Sequence, residues 1–192
     1  RIVRDIKEDE LTELFESNIF SDNFEGIRDK AILTTFYLCG IRREELISLK
    51  ISDVDFHNMQ IKVLGKGNKE RIIPVTYIYI QLIEEYLESR KEIANGSLDF
   101  LFITSKAQKL NSRLVYTIVN RYLSKVSGVE KKSPHVLRHS FATHMLNKGA
   151  DLNTIKELLG HSNLSATQIY THASIENLKS VYNQTHPRGH KN

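Results

Sequence analysis

The spacing of apolar residues changes along this chain, and that change limits the available folds more than any single motif does. Up to Leu49 apolar side chains recur every three or four residues, from Ile51 they alternate, and from Thr76 the helical spacing returns. A period near 3.6 puts a stripe on a helix, whereas a period of two presses one face of a strand against a core. The alternating runs cover 59–64 and 70–75, and Gly65-Lys66-Gly67-Asn68-Lys69 between them is a hairpin turn with suitably placed glycines. One hairpin between two helical halves gives a mainly α fold with a small antiparallel β-sheet, an α+β domain.

The helices follow from the same reading. Residues 7–16 place Leu11, Leu14 and Phe15 on one face, with acids in the first turn. A helix over 24–38 carries Ile27, Ala31, Ile32, Phe36 and Tyr37 as a core stripe and stops at Gly40; another spans 43–49, with Arg42 at the junction. Beyond the hairpin, 76–93 turns Ile80, Ile83, Tyr86 and Leu87 inward, and 111–127 buries Leu114, Ile118, Tyr122 and Leu123. Between these two, after a turn at Asn95-Gly96-Ser97, residues 100–103 read as a short buried strand or extended segment. Ser133 and Pro134 supply an N-cap and a first-turn proline for a helix that carries His135, Arg138, His139 and His144 and ends at Gly149. Asp151 opens the next helix and Gly160 closes it; Ser165 starts a short one bearing Tyr170, and a last helix spans 174–182. The core-bearing part is thus one domain over 1–182, followed by a polar tail, 183–192.

Composition narrows the class of function. With 192 residues, 40% of them hydrophobic, the chain supports one good core, and no apolar run approaches the length that spans a bilayer. No signal-peptide pattern opens it, and the single cysteine, Cys39, has no partner for an internal disulfide. A reducing, cytoplasmic setting and a role for Cys39 as buried filler follow. The net charge of +4 makes a polyanion a plausible partner without proving one. The chain starts at Arg1 rather than methionine, which suggests a piece of something longer.

Between Ser133 and His172 stand Arg138, His161 and Tyr170, the first two 23 positions apart and the last two nine. A guanidinium fork matches phosphate oxygens two at a time. Imidazole moves protons near neutral pH, and a phenol becomes a covalent nucleophile when its surroundings activate it. That set suits a phosphodiester better than an ester or a sugar. Taken singly, each residue has a plainer role. Tyr170 on a short helix is ordinarily half-buried packing, and the cations Lys66, Lys69 and Arg71 are ordinarily the wet tip of a hairpin. Arg42 reads equally as a solvent-exposed cap or as an anion ligand near a helix start. His135 and His139 have zinc-like spacing, but Val136 replaces the protease glutamate and no third ligand is evident, so no metal is expected. His139 and His144 read as packing and hydrogen-bonding groups, and a Ser-His-Asp triad lacks its strained turn.

Five separated motifs, taken together, carry a resemblance. Gly40-Ile41-Arg42-Arg43-Glu44-Glu45-Leu46, Gly65-Lys66-Gly67-Asn68-Lys69-Glu70-Arg71, Pro134-His135-Val136-Leu137-Arg138-His139, Leu159-Gly160-His161-Ser162 and Ile169-Tyr170-Thr171-His172 resemble those of the tyrosine recombinases. The similarity is to Xer-type site-specific recombinases and mobile-element integrases, in order and over nearly the whole chain. It implies that Arg42 and Arg138 clamp the scissile phosphate. Lys66 would protonate the departing 5′-oxygen, His135 would act as acid and base beside the tyrosine, and His161 would support the phosphate. Tyr170 would form a 3′-phosphotyrosyl link, with Glu45 bracing the site. Arg43, Lys69, Arg71, Ser133 and His139 would contact DNA.

The resemblance further implies duplex DNA as substrate and no cofactor, metal or ATP. It also implies other protomers in a DNA-bound tetramer, a monomeric free fragment, an upstream DNA-binding domain that this chain is expected not to carry, and action at the bacterial nucleoid. Rival readings are a type IB topoisomerase-like enzyme, a non-catalytic DNA-binding module and a metal-dependent phosphodiesterase. The chemistry favours strand transfer. A phenol with a pKa near 10 needs help to ionise, and a phosphotyrosine stores the energy of the broken strand for rejoining.

Overall fold

The computed structural model describes residues 4–96 and 98–160. Helix α2 (Phe24–Cys39) is apolar nearly all round from Ala31 onward, and twelve of its residues are buried, from Gly26 to Cys39, the ion-paired Arg28 and Asp29 among them. A helix without a polar face must sit inside, and the others pack around it. These are α1 (Glu8–Glu16), α3 (Arg43–Ser48), α4 (Tyr77–Lys91), α5 (Ser112–Val126), α6 (Pro134–Asn147) and α7 (Leu152–Leu159). Helices α4 and α6 cover α2 most extensively, while α5 packs on α1, α3 and α6.

The ends of α2 are fixed by local chemistry. Asn23 accepts from the Gly26 amide at its start. At its end Gly40 adopts φ +60°, and a Cβ there would lie 2.5 Å from the Phe141 ring. Both the backbone angle and the close approach of α6 therefore require glycine.

The hairpin appears as expected and gains a neighbour. Strands β1 (Val54–Asp55), β2 (Gln60–Leu64) and β3 (Glu70–Pro74) form an antiparallel sheet in that order, with Ile61 opposite Ile73 and Val63 opposite Arg71. Ile61, Val63, Arg71 and Ile73 are buried, whereas Lys62 and Leu64 point outward. The two-residue β1 is too short to leave a periodic signal. Residues 100–103 are the extended alternative rather than a strand, held by single bridges from Phe100 to Lys50 and from Ile103 to Lys109.

Helix boundaries fall within two residues of the sequence reading, and the inward faces are largely those expected. Val115 and Val119 join Ile118, Tyr122 and Leu123 as the buried face of α5, while Ile27, Leu87 and Leu114 are only partly buried. Cys39 is fully buried, and burial pushes its thiol far up, so it is inert filler. Ser133 occupies the N-cap position before Pro134, but its side chain makes no cap hydrogen bond. The expected helices over 165–182, the tail, and both His161 and Tyr170 lie outside the described residues. Among the described residues no helix is long and apolar enough to cross a membrane.

Candidate active site

Four elements end at one place. Arg42 precedes α3, and Glu45 in the first turn of α3 reaches back to accept from the Arg42 amide at 2.7 Å. Arg71 projects inward from β3 because it shares the parity of Ile73. Arg138 lies on α6, and α7 delivers the carbonyls of Leu158 and Leu159 before Gly160 turns the chain at φ +72°.

The side chains interlock. Arg71 places both terminal nitrogens on Glu45, each at 2.8 Å, and its Nε donates to the Leu158 carbonyl at 2.7 Å. Arg42 Nη1 donates to Glu45 Oε1 at 3.1 Å and to the Leu159 carbonyl at 3.4 Å. Arg138 donates to that same Leu159 oxygen at 2.7 Å and, through its other terminal nitrogen, to the Gly40 carbonyl. Two guanidiniums from distant parts of the sequence thus converge on one oxygen.

The charge is unbalanced. Among the described residues three arginines surround a single carboxylate, and the side chains of Arg71 and Glu45 are each only 5% exposed. Burial raises the tendency of Glu45 to hold a proton, but the hydrogen bonds and charge of Arg71 outweigh it and keep the carboxyl below its usual range. Arg138 moves the other way: burial, then the nearby charge of Arg42 and that of Arg71, bring it down to about 10 despite Glu45. Among the described residues the pocket holds positive charge in excess of its own anion, with the Arg42 side chain 36% exposed at its mouth. An entering oxyanion would lower that energy.

The sequence from residue 4 to residue 177 matches the profile of the phage integrase family. The chain belongs to that family. It is 45% identical over 184 residues to tyrosine recombinase XerC of Staphylococcus carnosus, a match covering 96% of this chain and 62% of that protein. Among solved structures it is similar to the XerH site-specific recombinase in its post-cleavage complex with a palindromic difH substrate. That match has a TM-score of 0.76 and 31% identity, and it covers 94% of this chain and 52% of that one. The integrase of mycobacterium phage Brujita, at 22% identity and a TM-score of 0.77 over 98% of this chain and 60% of that one, shares the fold. The mainly helical body with its three-stranded sheet is that of tyrosine recombinase catalytic domains. The chain spans about three-fifths of the length of the first curated relatives it matches, 62% in each case.

Within this family fold the other singled-out residues take different positions. Lys66 and Lys69 are exposed in the turn between β2 and β3, and His135 is exposed on α6 one turn before Arg138. Arg43 is half-exposed and pairs with Glu44 at 3.0 Å, while Ser133 is half-buried. His139 is exposed, so it does not pack in the core; His144 does, with its Nδ1 2.9 Å from the Tyr37 hydroxyl. Arg71 is the clear correction. Expected on the wet face of the hairpin, it is 4% exposed with its fork on Glu45, out of reach of a passing duplex. The alternation that placed Ile73 inward applied equally to Arg71. The Leu159 and Gly40 carbonyls had no comparable signal, because backbone acceptors leave none in side-chain patterns.

Proposed function

We propose that this chain is the catalytic domain of a site-specific tyrosine recombinase, spanning 1–182 with a polar tail over 183–192. The observation that carries the reading is the convergence of Arg42 and Arg138 on the single Leu159 oxygen. Two forks that meet on one oxygen within a pocket of excess positive charge are arranged to bind two nonbridging oxygens of a phosphodiester. The support extends to XerC at 45% identity and to XerH, solved in a post-cleavage complex with a palindromic difH substrate.

In this reading the Tyr170 oxygen attacks phosphorus, and the bond from phosphorus to the 5′-oxygen breaks. The 3′-phosphate becomes tyrosyl-linked, and Lys66, from the exposed turn, gives its proton to the departing 5′-oxygen. His135 takes the phenol proton, and His161 supports the phosphate. In the second half of the reaction a 5′-hydroxyl from another strand attacks the phosphotyrosine and the phenol leaves. One phosphoester replaces another at each step, so neither ATP nor a metal is consumed. Fixed cations in such a site stabilise the charge that develops at phosphorus, each typically worth about 3–4 kcal/mol.

Exposed Lys66, Lys69, His135 and His139, with the partly exposed Arg43 and Ser133, supply the outer contacts to the duplex. Exchange between two duplexes requires four protomers, assembled on DNA at a bacterial nucleoid. The test uses a duplex selected from a random pool by its binding to the Tyr170→Phe protein, nicked beside the cleaved phosphate so that rejoining fails. In EDTA the parent should form a covalent protein–DNA adduct that Tyr170→Phe does not. An adduct that survives this substitution, or that needs a divalent ion, would sink the proposal.

A further inference from the structure

The most telling surplus feature lies beside the clamp. The carboxylate of Glu45 has about four acceptor positions. All are filled: two by the terminal nitrogens of Arg71 at 2.8 Å, one by the Arg42 amide at 2.7 Å, and one by Arg42 Nη1 at 3.1 Å. Every hydrogen bond that the Arg42 guanidinium makes to a described residue therefore runs through Nη1.

We propose that Arg71 is a positioning residue for the phosphate clamp: its fork occupies both oxygens of Glu45, so Arg42 keeps Nε and Nη2 for the phosphate. The inference rests on the function proposed above. Without Arg71, a carboxylate that is 6% exposed would lose half its partners, and Arg42 is the one other guanidinium already bonded to it. A bidentate pair would form between them. One of the two clamp cations would then be neutralised, with its donors turned away from the substrate.

The third donor of Arg71 adds to the same end. Its Nε holds the Leu158 carbonyl at 2.7 Å, next to the Leu159 carbonyl that both clamp arginines share. The Gly65 backbone also lies close by: a Cβ there would be 3.4 Å from Glu45 Oε1 and 3.5 Å from Arg71 Nη1. The base of the hairpin that carries Lys66 is thus set against the carboxylate that Arg71 holds. A Lys cannot substitute, because one ammonium lacks the planar fork that meets both oxygens.

The test is single-turnover cleavage of the selected, nicked duplex, with affinity measured separately in the Tyr170→Phe background. Arg71→Met should slow adduct formation about 10- to 100-fold, the scale of a misplaced binding group, with DNA affinity within about threefold of the parent. Adding Glu45→Gln to Arg71→Met should recover at least tenfold of that loss, because a neutral amide no longer claims Arg42. A role in folding alone predicts that Arg71→Met cleaves at the parental rate per folded molecule below its melting temperature, with Glu45→Gln restoring only stability by removing an unpaired buried charge. Should Arg71→Met not fold, Arg71→Lys carries the test, with a roughly tenfold loss expected and the same recovery by Glu45→Gln. A parental cleavage rate in either folded variant, or no recovery in the double variant, overturns the inference alone. Absence of any Tyr170-dependent adduct in the parent overturns the functional reading beneath it.

Discussion

Two arginine clusters lie at opposite ends of α2, and their charge balance differs. Near the start, Arg28 grips Asp29 Oδ1 through Nε and Nη2 at 3.0 and 2.9 Å, and Tyr122 donates to the other oxygen at 3.1 Å. One cation meets one anion, with Arg121 3.9 Å away at the rim. Just past the other end, Arg42, Arg71 and Arg138 share Glu45, the one carboxylate there among the described residues. The balanced group closes on itself and holds the scaffold together. The unbalanced group is finished only by negative charge from outside. Excess charge by itself is no sufficient sign of a site. Arg90 is also 4% exposed, but it stands alone on the Leu98 and Phe100 carbonyls and closes a loop. A second guanidinium on the same oxygen is what separates the clamp from Arg90.

The contrast is tested most severely by removing one cation from each group. Arg138→Met should lower single-turnover cleavage about 100- to 1,000-fold, as loss of a preorganised donor does. Its stability should change by only about 1 kcal/mol, because two effects oppose each other. Bringing Arg138 from 12.5 to about 10 reflects roughly 3 kcal/mol of unfavourable burial and repulsion, which the substitution relieves. The Gly40 and Leu159 carbonyls lose donors, at about 1–3 kcal/mol each. Urea unfolding that shows a loss well beyond 3 kcal/mol would make the two groups alike and break the comparison.

At the balanced end the expectation reverses. Arg28→Met leaves Asp29, itself fully buried, without its main partner and should destabilise the fold by about 3–5 kcal/mol. For a domain of this size that is a fall in melting temperature of roughly 10 °C. Cleavage by the protein that remains folded should match the parent. A cleavage defect in Arg28→Met below its melting temperature would show that the scaffold pair reaches the site.

How much of this was legible in the sequence follows from where each signal resides. The switch of periods at Ile51 and Thr76 located the sheet, because side-chain direction repeats with the backbone in every strand and helix. Gly40 and Gly160 marked helix ends through the left-handed backbone that they do adopt, at φ +60° and +72°. Arg42 and Arg138 were singled out by type, but nothing in their spacing said that they would meet at the Leu159 carbonyl. That contact depends on the packing angles of α6 and α7, which no local pattern encodes. Arg71 shows the opposite failure. Its parity with Ile73 was available, and the habit of reading hairpin cations as exposed overrode it.

A gentler probe supplies the missing charge without changing a residue. If the clamp is completed by an oxyanion, sulfate at constant ionic strength should raise the melting temperature relative to chloride. At ten times its dissociation constant the gain is about 1.4 kcal/mol, or roughly 3–5 °C. Arg138→Met should lose most of this rise, and Arg28→Met should keep it despite a lower starting point. An equal rise in both variants would assign the effect to general salting rather than to the pocket.

The smallest effect is also the one whose sign separates the two carboxylates. Glu45 is held below its ordinary range, because Arg71 and Arg42 more than offset burial. Its contribution to stability is therefore complete above the unfolded value near 4.5 and is lost as pH falls through the folded one. Asp29 is held above its ordinary 3.8, because burial outweighs Arg28, Tyr122 and Arg121. The folded protein takes up that proton before the unfolded chain does, so acidification gives back stability as pH falls through its raised value. Replacing each by its amide should bend the acid limb of the stability curve in opposite directions. Glu45→Gln should flatten the loss below pH 4.5, and Asp29→Asn should steepen it, each by no more than the roughly 1.4 kcal/mol per pH unit of one proton. His144, pushed down by burial despite Glu8 and Asp5, adds its own loss below 6.5 to every variant alike, so it cancels in the difference from parent. Bends of the same sign would mean that Arg71 does not hold Glu45 charged, and the excess of cations at the clamp would then be smaller than the geometry implies.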